Sequence, residues 1–563
     1  MSHRRLAASA AVLTAGISLA SLVPGTAHAA DPAGGRPHGV TTPDLAPAEA
    51  PGSTTFTSPA ERAVTSAIPS AGGSKASGAP RTQNLAGEPT HTIALTGKTT
   101  SAHGISLETT VTNNSGASLF VTIDWGDKEW TETYGVSDGT HVETRPHSYA
   151  EVGTYQITVT VKDSFSQTLT TNTLTVTTAG SDYTPYGPTR LLDTRDGTGA
   201  PKGKVAPYSP ARVKIGGNGG IPAGVTAVAL NVTVTGTTSG GHITAFAEGD
   251  DRPTTSNLNY APGQTVPNLV IVPVGANGYV DLYNGGWEPV DLIADVAGYF
   301  TRSASSSYSP VTPARYADTR TGVGTSLGQV PGYGSFNIHM SGTGSVPHGS
   351  TAVALNVTVT NPKSDGHLTV HPSGQPAPTA SNVNFRAGQT IANSVIVPIG
   401  ADGKISIRNG SWNPADVIVD VVGFYHPESK SAYLPIKPLR LLDTRDPADW
   451  TGGPLGGRGY IYMPIGARYP HDKGYVLNTT VTNTRDNGYL AVTPDPNTIE
   501  AYKNGSDVWP AAPTSSNLNW TTGKTVPNLV QASTGSTGIL DFWNQSDGDM
   551  DLVVDLFGVY QDN

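Results

Sequence analysis

The sequence predicts an all-β, multi-domain protein, and three observations carry that prediction. Arg190-Leu-Leu-Asp193-Thr-Arg195 returns as Arg315-Tyr-Ala-Asp318-Thr-Arg320 and as Arg440-Leu-Leu-Asp443-Thr-Arg445, each time 125 residues further on. A period of that length is one domain, so the second half of the chain is a tandem array. Its apolar segments alternate with polar residues and favour Val, Ile, Thr and Tyr, without a 3.6-residue period. Gly 66 and Pro 44 in 563 residues supply the turns that many short strands need.

Residues 1–29 carry Arg4 and Arg5, an Ala/Leu/Val-rich run over 6–23 and a small-x-small site at Ala27-His28-Ala29. This is the pattern of a secretory signal peptide. The expected location is extracellular, with the mature protein secreted or held noncovalently at the cell wall. No later apolar run is long enough to cross a bilayer, so no integral membrane segment is expected after signal removal. Removal also takes two positive charges from a net charge of −10, leaving −12, which opposes binding to nucleic acid. Cysteine is absent, so each domain must hold together by burial alone. Residues 30–88, rich in Ala, Pro, Gly, Ser and Thr, lack hydrophobic periodicity and are expected to form a disordered linker.

Residues 89–179 come next. Segments 107–111, 119–123, 155–161 and 174–176 alternate as half-buried strands do. Between and after them stand Asp124-Trp125-Gly126-Asp127, His147-Ser148-Tyr149, Gly153-Thr154-Tyr155 and Asp163. On these residues the segment resembles a PKD domain, although Lys128 stands where that family usually has Gly. The resemblance implies a small seven-stranded Ig-like sandwich, used outside cells as a spacer or binding module.

Three separately folded units follow, at 183–303, 308–428 and 433–563, each opening on a tyrosine: Tyr183, Tyr308 and Tyr433. In the first, Val228, Leu230, Val232 and Val234 alternate with Asn231, Thr233 and Thr235, which predicts one face on a core and the other on solvent or ligand. Val353, Leu355, Val357 and Val359 repeat the pattern, and Tyr475, Leu477, Thr479 and Val481 do so more loosely. Roughly seven to nine short strands per unit argue for an antiparallel β-sandwich of jelly-roll type. The third unit carries an insertion at 497–509. The units resemble RLLDTR-type repeats common in secreted actinobacterial proteins, where they often stand beside hydrolase or adhesion domains. That resemblance implies a location and no activity.

The last strand of each unit is apolar on both faces apart from one carboxylate, Asp295, Asp420 or Asp555. An unpaired buried charge costs several kcal/mol. Each is therefore expected in a structural ionic cluster with the recurring stretch: Asp295 with Arg190, Asp193 and Arg195; Asp420 with Arg315, Asp318 and Arg320; Asp555 with Arg440, Asp443 and Arg445.

Two further sets are ligand-binding candidates. Asn259, Asn384 and Asn519 each precede an aromatic residue, and amides satisfy sugar hydroxyls while a ring stacks on a pyranose face. The same residues also build turns and bulges. Trp287, Trp412 and Trp543 lie on Asn-rich loops, where an aromatic is either adhesive or a cap on the end of the sandwich.

No catalytic residue emerges. Gly324-Thr-Ser326-Leu-Gly328 matches a nucleophile elbow but lacks its strand and helix. Asp547-Gly-Asp549-Met-Asp551 resembles the start of a calcium loop without its later Gly and Glu, so turn chemistry explains it better; no cofactor is expected, and calcium is the one ion left open. The expected function is noncatalytic, multivalent binding to extracellular or cell-wall polysaccharide or to a partner protein, with a wall-associated scaffold as the alternative. A glycosidase ranks third: a carboxylate pair would have to be found in at least one unit, and Asp193 with Asp295 is better explained by structural pairing.

Overall fold

The computed structural model describes residues 54–68, 91–164, 167–466, 469 and 471–563; the expected signal peptide at 1–29 lies outside them. Four antiparallel two-sheet sandwiches follow one another along the chain. Among the described residues no helix is long and apolar enough to cross a membrane.

The N-terminal sandwich contains β1 (Thr55–Ser58), β2 (Val64–Ala67), β3 (Thr92–Thr99), β4 (Gly104–Asn113), β5 (Leu119–Asp124), β6 (Thr131–Val136), β7 (Gly139–Ser148), β8 (Thr154–Asp163) and β9 (Thr168–Thr177). Its sheets run β1-β3-β4-β7 and β2-β9-β8-β5-β6. The linker expectation is corrected for 54–68, because β1 and β2 pair with β3 and β9 at the edges of the two sheets. These strands are too short and too rich in Thr and Ser to show periodicity; the rest of 30–88 lies outside the described residues. The quoted motifs meet in the core: the Tyr149 hydroxyl donates to Trp125 O at 3.0 Å, and His147 stacks on Trp125 at 4.4 Å.

The first repeat contains β10 (Asp182–Asp193), β11 (Ser209–Lys214), β12 (Ala227–Thr235), β13 (Gly241–Ala247), β14 (Leu258–Tyr260), β15 (Val266–Pro273), β16 (Tyr279–Asn284) and β17 (Asp291–Thr301). The inner sheet is β10-β17-β12-β15 and the outer β11-β16-β13-β14. Counted from the start of the repeat, this is the 1-8-3-6 and 2-7-4-5 order of a jelly roll. The second and third repeats have the same order.

The repeats are not separate units. The polar face of β12, expected to meet solvent or ligand, is buried against the neighbouring repeats. Asn231 Nδ2 donates to Ser381 O of the second repeat at 2.7 Å, Asn356 to Ser516 O of the third, and Asn478 to Ser256 O of the first at 2.7 Å. The same head-to-tail contact made three times closes a pseudo-threefold ring. Asn268, Asn393 and Asn528 tie it further, each donating to one of those asparagines at 3.2–3.3 Å.

A shared core lies inside the ring. Tyr183, Phe300, Tyr308, Tyr425, Tyr433 and Tyr560 pack there against small residues of the inner sheets, Ala227, Ala229, Ala352 and Ala354. Burial of each ring contributes roughly 2–3 kcal/mol gross. The hydroxyls are satisfied: Tyr183, Tyr308 and Tyr433 donate to the carbonyls of Ala297, Val422 and Phe557, while Tyr425 and Tyr560 share Gln531 Oε1. The N-terminal sandwich joins this body as well, since Ala102, Val152 and Ala179 extend the core of the third repeat.

Each opening tyrosine lies flat over a glycine of the last strand. A Cβ on Gly423 would stand 2.1 Å from the Tyr308 hydroxyl oxygen, and Gly298 and Gly558 are as close to Tyr183 and Tyr433. Gly423→Ala is expected to cost about 1–3 kcal/mol by overpacking. A urea midpoint equal to that of the parent protein would show that the ring moves aside freely.

Candidate ligand-binding site

The recurring Arg-Asp-Thr-Arg stretch ends the first strand of each repeat, beside the last strand. In the first repeat Arg190 Nε and Nη2 donate to the two oxygens of Asp295 at 2.9 and 3.2 Å, and Nη1 to Asp193 Oδ2 at 3.0 Å. Arg195 grips Asp193 with Nε and Nη2 at 2.9 and 2.7 Å, which holds that carboxyl below its ordinary range. Burial pushes the Asp295 carboxyl up and Arg190 offsets part of the shift. The chain Asp420–Arg315–Asp318–Arg320 repeats this arrangement, as does Asp555–Arg440–Asp443–Arg445. Arg190 and Arg315 also reach over a seam, to Thr379 O and Thr514 O of the next repeat. With both carboxylates of each repeat held by guanidinium groups, the clusters fasten strands and repeats.

The asparagine candidates sit on the short strand of each outer sheet. The adjacent rings of Tyr260, Phe385 and Trp520 are buried in the cores, so none can stack on a ligand beside its asparagine. Asn259 lines a groove between the first and third repeats. Asn384 holds the matching position on the second repeat, and the Asn519 Oδ1 accepts from Ser516 Oγ at 3.2 Å.

The tryptophans divide. Trp287 and Trp412 are 76% and 79% exposed, on loops that cross from the outer to the inner sheet and are held by fully buried amides. Asn284 Nδ2 donates to the carbonyls of Val205, Ala206 and Glu288, and its Oδ1 accepts from Gly286 N. Asn409 does the same for the second repeat. Each tryptophan meets a tyrosine edge-on: Tyr208 at 5.6 Å from Trp287, Tyr333 at 5.1 Å from Trp412. Both tyrosines have positive φ, +53° and +58°, which sets each on a tight turn beside its tryptophan. Sequence reasoning passed over Tyr208 and Tyr333, although they stand one repeat period apart in Gly/Pro-rich loops.

Trp543 is corrected as a ligand candidate, because it is only 1% exposed. It precedes Asn544 on the strand Leu540–Asn544, whereas Trp287 and Trp412 follow the corresponding asparagines by three residues. The insertion roofs it over. Trp543 stacks on Tyr460 at 4.4 Å, with Trp509 edge-on to both, and Tyr502 of α1 (Ile499–Asn504) stacks on Tyr462 at 3.7 Å. Where the first two repeats carry Tyr/Trp pairs, the third carries Arg458 and Asp547, ion-paired at 2.8 Å.

No family model and no curated protein matches this chain. Among solved structures, a SusE-like protein aligns over 37% of this chain and 96% of its own length, at 14% identity and a TM-score of 0.12. A structure described as the triple jelly roll fold and turret assembly in an archaeal virus aligns over 68% and 90%, at 9% identity and 0.15. One from Sulfolobus turreted icosahedral virus aligns over 64% and 85%, at 10% and 0.13. Scores this low carry no argument, so the fold rests on strand order and the site on its own residues.

The remaining sequence motifs find local roles. Asp547 pairs with Arg458, and Asp551 accepts from Thr444 Oγ1 and Asn483 Nδ2 at 2.8 and 2.7 Å. Among the described residues no three acidic or histidine side chains gather in a form that could hold a metal ion. Ser326 lies in an exposed loop.

Proposed function

We propose that this is an exported, noncatalytic binding protein whose two Tyr/Trp pairs take extracellular polysaccharide. The observation that carries the reading is the pairing itself: Tyr208 with Trp287 and Tyr333 with Trp412, exposed rings set at right angles on loops pinned by buried asparagines. A large exposed indole on a rigid turn is poorly matched to solvent and well matched to the C–H face of a sugar, with little ordering entropy left to lose. Two such platforms on one rigid ring bind a repeating polymer bivalently, so each can be weak. The ion pair Arg458–Asp547 removes the third platform, which makes the protein bivalent instead of trivalent. The N-terminal sandwich is then a PKD-like spacer that holds the ring at the wall.

The test is binding of the full mature chain to a glycan array and to insoluble wall polysaccharides. Trp287→Ala with Trp412→Ala should weaken binding at least about tenfold, and each single change should weaken it less. Unaltered binding in the double variant would sink the reading. No binding to any glycan would leave the scaffold, and turnover of a polymer would restore the enzyme.

A further inference from the structure

We infer that the groove between the first and third repeats is a second binding site, separate from the Tyr/Trp pairs, that takes a short oligosaccharide bearing carboxylates. The groove measures about 550 Å³, inside the range of roughly 300–1,000 Å³ typical of small-ligand sites. Its polar wall includes His242, Asn259 and Gln264 of the first repeat, with Arg445, Lys524 and Thr525 of the third.

A contact that bridges the neighbouring seam is missing from this one. Between the first and second repeats, the Arg386 guanidinium crosses the seam and donates to Gly263 O. The first repeat has Ala261 at the place of Arg386, immediately after the aromatic of the short strand, and Gly523 is the counterpart of Gly263 on the facing third repeat. No side chain of that length is there to bridge, and the space stays open.

Charge selects the ligand. The lining includes two cations and no carboxylate, although the whole chain has a net charge of −10. Asp443 already engages Arg445, at 2.6 Å, whereas Lys524 forms no ion pair among the described residues and is exposed. Lys524 is also peculiar to this seam, because Gln264 and Gln389 hold its position in the other repeats and turn back on the backbone amides of Ala261 and Arg386. A free ammonium in a partly enclosed groove favours an anion over a neutral guest.

Hydroxyl recognition comes from the opposite wall. The Asn259 Oδ1 is buried without a hydrogen-bond partner, and the side chain makes no hydrogen bond to other described residues. Burial lowers the pKa of His242, which packs against Gly285, so at neutral pH the imidazole is a neutral donor and acceptor. An amide, a neutral imidazole and Gln264 facing a lysine match a ring of hydroxyls that ends in a carboxylate. Tyr260 is buried, so no open ring is offered there for a nucleobase.

The probe is trigalacturonate, with maltotriose as the neutral control, titrated calorimetrically into the full mature chain. Trigalacturonate should bind and maltotriose should not. Lys524→Glu should weaken the acidic probe about tenfold or more, and raising salt from about 50 to about 500 mM should weaken it severalfold. Ala261→Arg should block the groove sterically while leaving Lys524 in place. Trp287→Ala with Trp412→Ala should leave this binding unchanged, so failure here and failure of the aromatic platforms are told apart. Equal affinity for the two probes, or full binding by both Lys524→Glu and Ala261→Arg, would overturn the assignment.

Discussion

Arg190→Ala is expected to destabilise the protein by about 3–5 kcal/mol, because it strands Asp295 in the interior. The Asp295 carboxylate is only 2% exposed and both its oxygens are held by that one guanidinium. Arg190 also donates to Asp193 and, over the seam, to Thr379 O, so the loss should reach the second repeat as well as the first. Urea unfolding at neutral pH reads the total, and hydrogen exchange shows where it falls. Acidification supplies an internal control: once a proton neutralises Asp295 in the variant, the gap between variant and parent should narrow. A difference below about 1 kcal/mol at neutral pH would place the pair among weak surface bridges.

Asp541→Ser is expected to act in the other direction, raising stability at neutral pH by about 1–3 kcal/mol. Asp541 is 0% exposed beneath the inserted segment, with no hydrogen bond of good geometry to either carboxyl oxygen and only the Asp495 carboxyl and the Trp543 indole close by. Tyr462 and Thr493 flank it across the sheet, and Tyr502 lies over Tyr462. The charged neighbours are acidic: Asp495 is close to the carboxyl itself and Asp507 is close to Tyr460 and Tyr462. Burial, with Asp495 second, pushes the pKa well above the usual carboxylate range.

The sign follows from that direction. Below the ordinary carboxyl range the folded and unfolded chains both carry the proton, and nothing is lost. As pH rises past it, the unfolded chain ionises first, so stability declines until the raised folded value is passed. The parent midpoint should therefore fall with pH more steeply than that of Asp541→Ser, since Ser406 fills the same place in the second repeat without ionising. Parallel pH profiles would mean that the carboxyl reaches water or a cation.

How far these features could be read beforehand depends on whether their cause is local. The 125-residue recurrence and clean alternation made the jelly-roll repeats legible, and a lone Asp295 in a strand buried on both faces called for a cation from Arg190's stretch. The ring was hidden because its contacts look like solvent-facing ones. Asn231 and Thr233 alternate as exposed residues do, yet both are buried, and the partners of Asn231 are a carbonyl and an amide of another repeat, over 100 positions away. Trp543 was misread because the segment that covers it lies about 35–45 residues earlier in the chain and has no counterpart in the other repeats. Tyr208 and Tyr333 were overlooked because a tyrosine in a Gly/Pro loop signals nothing until its partner tryptophan is placed beside it.

Closure of the three lobes within one polypeptide has a consequence for variation. A trimer of identical subunits must accept every substitution in triplicate, including wherever it meets its own copies. A single chain can alter one lobe and leave its siblings as they were. The roof over Tyr462, the lysine at position 524 and the charged couple Arg458–Asp547 are such solitary departures. Symmetry here is inherited by the scaffold and is free to lapse at the periphery.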